Sequence, residues 1–205
     1  MLTGGTMSVN EKVNFLSKCS KKEKLAFCLA STCAPVIKGL TVSNTLTVKK
    51  GEYKNIKKML KNTCLNCYML YSNKTNEVVL ITRTNELIKY LNDDSVSNYL
   101  KEFGYDDNSL EYVIEKLYER FNCFYNNKDC FPHELGLILN YPVEDVRGFI
   151  RNNGENSLAC RYWKVYSNLN YALKKFEEFD KAFETCVYEI VNGYEINEII
   201  IGGNA

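Results

Sequence analysis

FPHELGLILNYPVEDVRGFIRNNGENSLACRYWKVY, residues Phe131–Tyr166, is the stretch whose reading decides the fold. It holds the only His of the chain (His133), the only Trp (Trp163) and two of the three Pro (Pro132 and Pro142). Pro132 suits the first turn of a helix, where its missing N–H costs nothing. Leu135, Ile138 and Leu139 then form a buried stripe. Tyr141-Pro142 forces a turn, and Pro142 opens a second helix with Val143, Val146, Phe149 and Ile150 facing inward. Asn152-Asn153-Gly154 stops that helix. Arg161–Tyr166 alternates, with Tyr162, Lys164 and Tyr166 on one face and Trp163 and Val165 on the other, the pattern of a half-buried strand.

Outward from this stretch, Tyr171–Val191 is the longest expected helix, and Ile199-Ile200-Ile201 in the tail can form an edge strand. On the N-terminal side, Cys64–Tyr71 and Val78–Arg83 flank Ser-Asn-Lys-Thr-Asn-Glu, which is turn chemistry, so a hairpin is expected. Val78-Val79-Leu80-Ile81 is apolar on both faces and belongs in a sheet centre. Ser8–Glu11 and Ser20–Glu23 have capping-box spacing and predict helices over 9–19 and 21–33, the second ended by Pro35. Val36–Thr47 reads as a loop or short strand. Helices are expected at 51–61, 85–92, 96–103 and 109–123.

The apolar fraction of 45% is ample for one core, so folding needs no staples. A net charge of +1 hides an asymmetry: residues 1–62 carry 12 Lys against three acidic residues, whereas residues 85–205 carry nine more acidic than basic residues. The two ends can dock on each other, or the N-terminal lysines can hold an anionic partner. The start Met1–Asn10 is polar with no hydrophobic run behind a basic segment, and Leu25–Ile37 is too short and broken to span a bilayer. The nine Cys are therefore expected as reduced thiols in a cytoplasmic protein, without a membrane partner.

The chemistry-bearing candidates gather near the opening stretch. Glu134-Leu135-Gly136 to Phe149 has helix-turn-helix spacing, with a small residue at the crossing and a left-handed-tolerant residue at the turn. Its second helix begins Pro142-Val143-Glu144-Asp145, and two carboxylates there repel phosphate, so nucleic acid is not the expected partner. Cys64-x-x-Cys67 opens a strand rather than a helix, which removes the usual cause of a lowered thiol pKa. His133 can cap its helix beside Glu134. It can also join Cys33 and Cys160, each at the border of an element, in a metal site or an activated thiolate. Tyr162-Trp163-Lys164-Val165-Tyr166 can stack a flat ligand, or place a core Trp among snorkelling neighbours. Dinucleotide, P-loop, zincin and nucleophile-elbow motifs do not occur.

FPHELGLILNYPVEDVRGFI followed by Cys160-x-Tyr162-Trp163-Lys164-Val165-Tyr166 resembles a bacterial family, domain of unknown function 3793. Cys33-Ala34-Pro35 with Gly39-Leu40 looks like the N-terminal motif of that family, and the resemblance runs from about residue 20 to 185. The chain departs from the family pattern at Thr41-Val42-Ser43-Asn44, where Lys-Pro-Ala-Asn is usual. It also departs at Asn140, Arg161 and Ser167, where Gly is preferred, and near Ala182, where a Cys is usual. The resemblance implies the cytosol of an anaerobic bacterium, in keeping with the cysteine content. It supplies no activity and no cofactor.

The expected architecture is α/β (α+β). A small, mainly antiparallel sheet of about three strands, the hairpin plus 160–166, is covered by helices, with a helix-turn-helix-shaped unit at 132–152. Residues 1–7 are expected as a flexible N-terminus, 8–193 as a single domain and 194–205 as a tail. The leading functional expectation is a small-ligand- or metal-binding domain. Its ligand candidates are Cys33, His133, Glu134, Tyr162, Trp163 and Lys164, and its metal candidates are Cys33, His133 and Cys160. The alternatives are a protein-interaction or nucleic-acid-binding adaptor that uses the basic 12–61 region, and a thiol redox enzyme.

Overall fold

The structure is a computed structural model that describes residues 8–127 and 130–202. The expected flexible N-terminus lies outside the described residues. In chain order the elements are α1 (Val9–Lys18), α2 (Lys21–Ile37), β1 (Ser43–Lys49), α3 (Tyr53–Met59), β2 (Leu65–Ser72), β3 (Asn76–Arg83), α4 (Thr84–Leu91), α5 (Asp94–Glu102), α6 (Leu110–Asn127), α7 (Leu135–Ile138), α8 (Val143–Arg151), β4 (Ala159–Cys160), β5 (Lys164–Val165), α9 (Leu169–Val191) and α10 (Ile196–Ile199). Both expected capping boxes are formed, at Ser8/Glu11 and Ser20/Glu23.

The main sheet is antiparallel in the order β1-β3-β2. The run Val78–Ile81 is its centre, and period-two alternation distributes its side chains to two cores. Val79 and Ile81 face α2, α3, α9 and α10. Val78 and Leu80 face α4, α5, α6 and the α7–α8 pair. The β2–β3 hairpin is the expected one, with a register shift between Met69 and Tyr71.

Three expectations are corrected. The third strand of the sheet is β1 and not 160–166. Leu46 and Val48 are buried while Thr47 and Lys49 are exposed, so the β-branched run alternates as a strand should. The 160–166 segment turns back on itself instead: β4 pairs β5 across Arg161–Trp163. Its alternation holds, since Trp163 and Val165 are buried, but they pack with Phe176 and Phe179 of α9 in a third cluster. Half-burial fixes which face points inward and leaves the pairing partner open.

The expected helix from Lys21 reaches Cys33, whose backbone (φ −104, ψ 17) leaves the helical region, and a short second helical segment carries α2 on through Pro35 to Ile37. A proline lacks the N–H for the ladder and is accommodated by such a bend. The tail is no edge strand. Ile196, Ile199 and Ile200 bury at i, i+3, i+4 spacing against α2 and α9, which is helical periodicity. The tail is tied down by buried Arg83. Its Nε donates to Val36 O (2.8 Å), and its Nη2 donates to Ile37 O (3.0 Å) and Ile201 O (2.6 Å). Two of these carbonyls, on Val36 and Ile37, lie in the last turn of α2, where helix carbonyls lack i+4 partners.

Candidate functional site

Of the unit expected at 132–152, the second helix forms at full length. The first is reduced to the single turn α7. What ends α7 is Asn140 in the left-handed region (φ 64). The Asn140 N–H donates to Leu137 O (2.8 Å) and the Tyr141 N–H to Gly136 O (2.9 Å), which is the Schellman closure. Asn153 (φ 48) closes α8 in the same way, with the Gly154 N–H donating to Phe149 O (2.8 Å). Two glycines set the spacing. A Cβ on Gly136 would lie 2.9 Å from Val146 Cγ2, so α7 crosses directly over α8. A Cβ on Gly148 would lie 2.3 Å from Tyr166 Cβ, so the β4–β5 hairpin lies on the other side of α8.

These three pieces enclose a cleft of about 200 Å³. His133 and Phe131 line it from the turn before α7, Tyr141 and Phe149 from α8 and the residue before Pro142, and Trp163 and Lys164 from the hairpin. The His133 ring packs between Phe131 (centroids 5.5 Å apart) and Phe149 (5.1 Å). Among the described residues no group hydrogen-bonds to its imidazole. Tyr141 stacks on Trp163 at 5.2 Å. The Lys164 ammonium lies 5.8 Å from the centre of the Phe149 ring and donates one proton to Gly154 O at 2.5 Å. Two further protons remain on that ammonium.

The floor of the cleft is fixed by Asp145, which is buried on α8. Its Oδ2 accepts from Trp163 Nε1 (2.8 Å). Its Oδ1 accepts from the backbone N–H of Tyr166 and Ser167 (2.8 Å each) and from the Ser167 hydroxyl (2.7 Å). A buried polar group of this kind needs such donors in place of the water it has lost. Asp145 is thus the latch that holds the hairpin to α8 and fixes the Trp163 ring.

Of the residues singled out from sequence, His133, Trp163 and Lys164 meet at the cleft. Glu134 turns away from it. It is fully buried, ion-paired with Arg120, and accepts from the Tyr105 hydroxyl at 3.2 Å. Burial first, and the Glu134 charge second, push the Tyr105 phenol well up. Tyr162 is 38% exposed and faces α9, where its hydroxyl donates to Asp180 Oδ1 at 2.9 Å. Burial and that carboxylate push its pKa up to about 12.

The metal set Cys33, His133 and Cys160 is not assembled. α2 carries Cys33 into the core on the far face of the sheet, beside Cys186, and Cys160 is exposed on the hairpin. Among the described residues no three His, Cys, Asp or Glu side chains are grouped to hold a metal ion. All nine cysteines are unpaired. Burial pushes the Cys67 thiol up to about 11 and the Cys186 thiol up to about 12, and raises Cys33 further. Thiols held protonated in this way are poor nucleophiles.

The sequence reading missed Tyr141 and Phe149 as cleft walls and Asp145 as the latch. Phe149 has the spacing of an ordinary core position, and Asp145 looks like a surface carboxylate in a first helical turn. The available signal was Gly136, whose lack of a side chain leaves room over α8. Among the described residues no helix is long and apolar enough to cross a membrane.

Comparison with known proteins gives one family and no function. No curated protein and no solved structure matches the chain. The model of the family described as "Protein of unknown function (DUF3793)" matches residues 29–200, which includes α7, α8, the hairpin and the whole sheet, and the chain belongs to that family.

Proposed function

We propose that this protein is a cytosolic small-ligand-binding domain whose site is the cleft between α7, α8 and the β4–β5 hairpin. The observation that carries this is His133. It is the one imidazole of the chain, clamped between two phenyl rings at a preformed cavity, with no hydrogen-bond partner among the described residues. Apolar clefts with a few convergent polar groups are the usual form of small-molecule sites. The cleft lining contains no Ser, Thr or Cys, and the Tyr141 hydroxyl is engaged with Tyr162 O (3.2 Å). Nine unpaired cysteines support a reducing compartment, as in an anaerobe's cytosol.

Trp163 is the only tryptophan, so its emission reports the cleft alone. Titration of the full chain with single-ring aromatic compounds is expected to give a saturable change in that emission. His133→Ala is expected to weaken binding about tenfold, the size of one hydrogen bond to a polar ligand group. No saturable change with any compound would rule the cleft out as a site.

A second reading, docking of an acidic protein on the basic 12–61 region, draws on α3 and the adjoining end of β1, where Lys49, Lys54, Lys57, Lys58 and Lys61 are exposed. Part of that region is already used within the chain, since Lys38 pairs with Glu189 (2.7 Å) and Lys22 with Glu195 (2.9 Å). Binding that weakens steeply with salt would separate this reading from the cleft.

A further inference from the structure

We propose that the ligand of this cleft is a flat, single-ring aromatic acid, held with its ring against the aromatic walls and its carboxylate toward His133 and Lys164. The inference rests on the cleft being a binding site, and it names the ligand class. Size gives the first limit. An apolar cavity of about 150 Å³ accommodates benzene, so about 200 Å³ admits one ring with a small substituent. The walls give the shape. The lining rings, Tyr141 stacked on Trp163 and His133 packed between Phe131 and Phe149, offer a planar ring π faces and edges beside the aliphatic Leu135, Leu139 and Val146.

Charge gives the class. The two lining side chains with donor capacity to spare, His133 and Lys164, both pack near Phe149, with the His133 ring centroid 5.1 Å and the Lys164 ammonium 5.8 Å from the centre of that ring. The ammonium can give two protons beyond its bond to Gly154 O, and the imidazole can give at least one. An anionic acceptor placed there receives charge-assisted hydrogen bonds. A cationic ligand is disfavoured on two grounds. Lys164 already occupies the cation position over Phe149 and would repel a second positive charge. The one carboxylate in the lining, Asp145, is buried with four donors on its two oxygens, so it has little left to offer an ammonium.

The test is a comparison of benzoate, benzamide and benzylamine, which share ring and size and differ in charge. Trp163 emission on the full chain is the readout. Benzoate is expected to bind wild type at least tenfold more tightly than benzamide, and benzylamine more weakly than either. In Lys164→Met, which keeps most of the apolar stem and removes the ammonium, benzoate is expected to fall to within about threefold of benzamide measured in the same variant. Equal affinity for benzoate and benzamide in wild type would overturn the inference and leave the cleft as a binding site. Saturable binding of none of the three would overturn both. A tenfold benzoate preference retained by Lys164→Met would overturn the role given to Lys164. The wild-type series decides the ligand class even if the variant does not fold.

Discussion

Trp163 and Asp145 form the bond on which the site depends. The indole is 8% exposed and packs edge-on to Phe176 at 4.5 Å, while its N–H satisfies Asp145. Two kinds of energy are joined in one side chain, and substitutions separate them. Trp163→Ala removes both packing and hydrogen bond and is expected to cost about 3–5 kcal/mol. Trp163→Phe keeps most of the packing but leaves a carboxylate oxygen without its donor, for a cost of about 1–3 kcal/mol. Urea unfolding midpoints should therefore fall in the order wild type, Trp163→Phe, Trp163→Ala. Equal midpoints for wild type and Trp163→Phe would show that the Asp145 bond contributes nothing.

At the scale of elements, the cleft exists because two helices and a hairpin approach without side chains in between. Gly148 sets the closer of the two approaches, and Gly148→Ala must move Tyr166 and the hairpin with it. The cost is expected to be about 1–3 kcal/mol, typical of overpacking, and the thermal midpoint of the variant should fall accordingly. An unchanged midpoint would mean the hairpin is free to shift.

Much of this local architecture was legible. Asn140 and Asn152-Asn153-Gly154 mark helix ends through residues that tolerate the left-handed region, a purely local property. Alternation placed Trp163 and Val165 inward for the same reason. The pairing of β4 with β5 was not legible, because it depends on where α9 presents Phe176 and Phe179, a contact distant in sequence. The one-turn length of α7 was hidden too: Pro132 and a stripe of leucines fit a full helix as well as a turn followed by a short one.

For the whole molecule, the sheet centre at Val78–Ile81 could be read because a strand apolar on both faces must be covered on both. The two cores then explain why Cys33 and His133 could not meet. They belong to elements on opposite faces of the same sheet, and sequence shows rarity of residue type without showing which face a helix covers. The charge asymmetry is partly resolved within the fold, where Lys38 and Lys22 near the start reach Glu189 and Glu195 near the end. What the fold leaves over is one cleft in which the only His and the only Trp face a common space. The most direct test is two-dimensional NMR of the His133 ring and the Trp163 indole during titration with benzoate, each resonance being unique in the chain. Both are predicted to shift along one saturable curve with the same Kd, the indole N–H remaining protected by Asp145. Resonances that stay fixed while others elsewhere move would place binding outside this cleft and contradict the account.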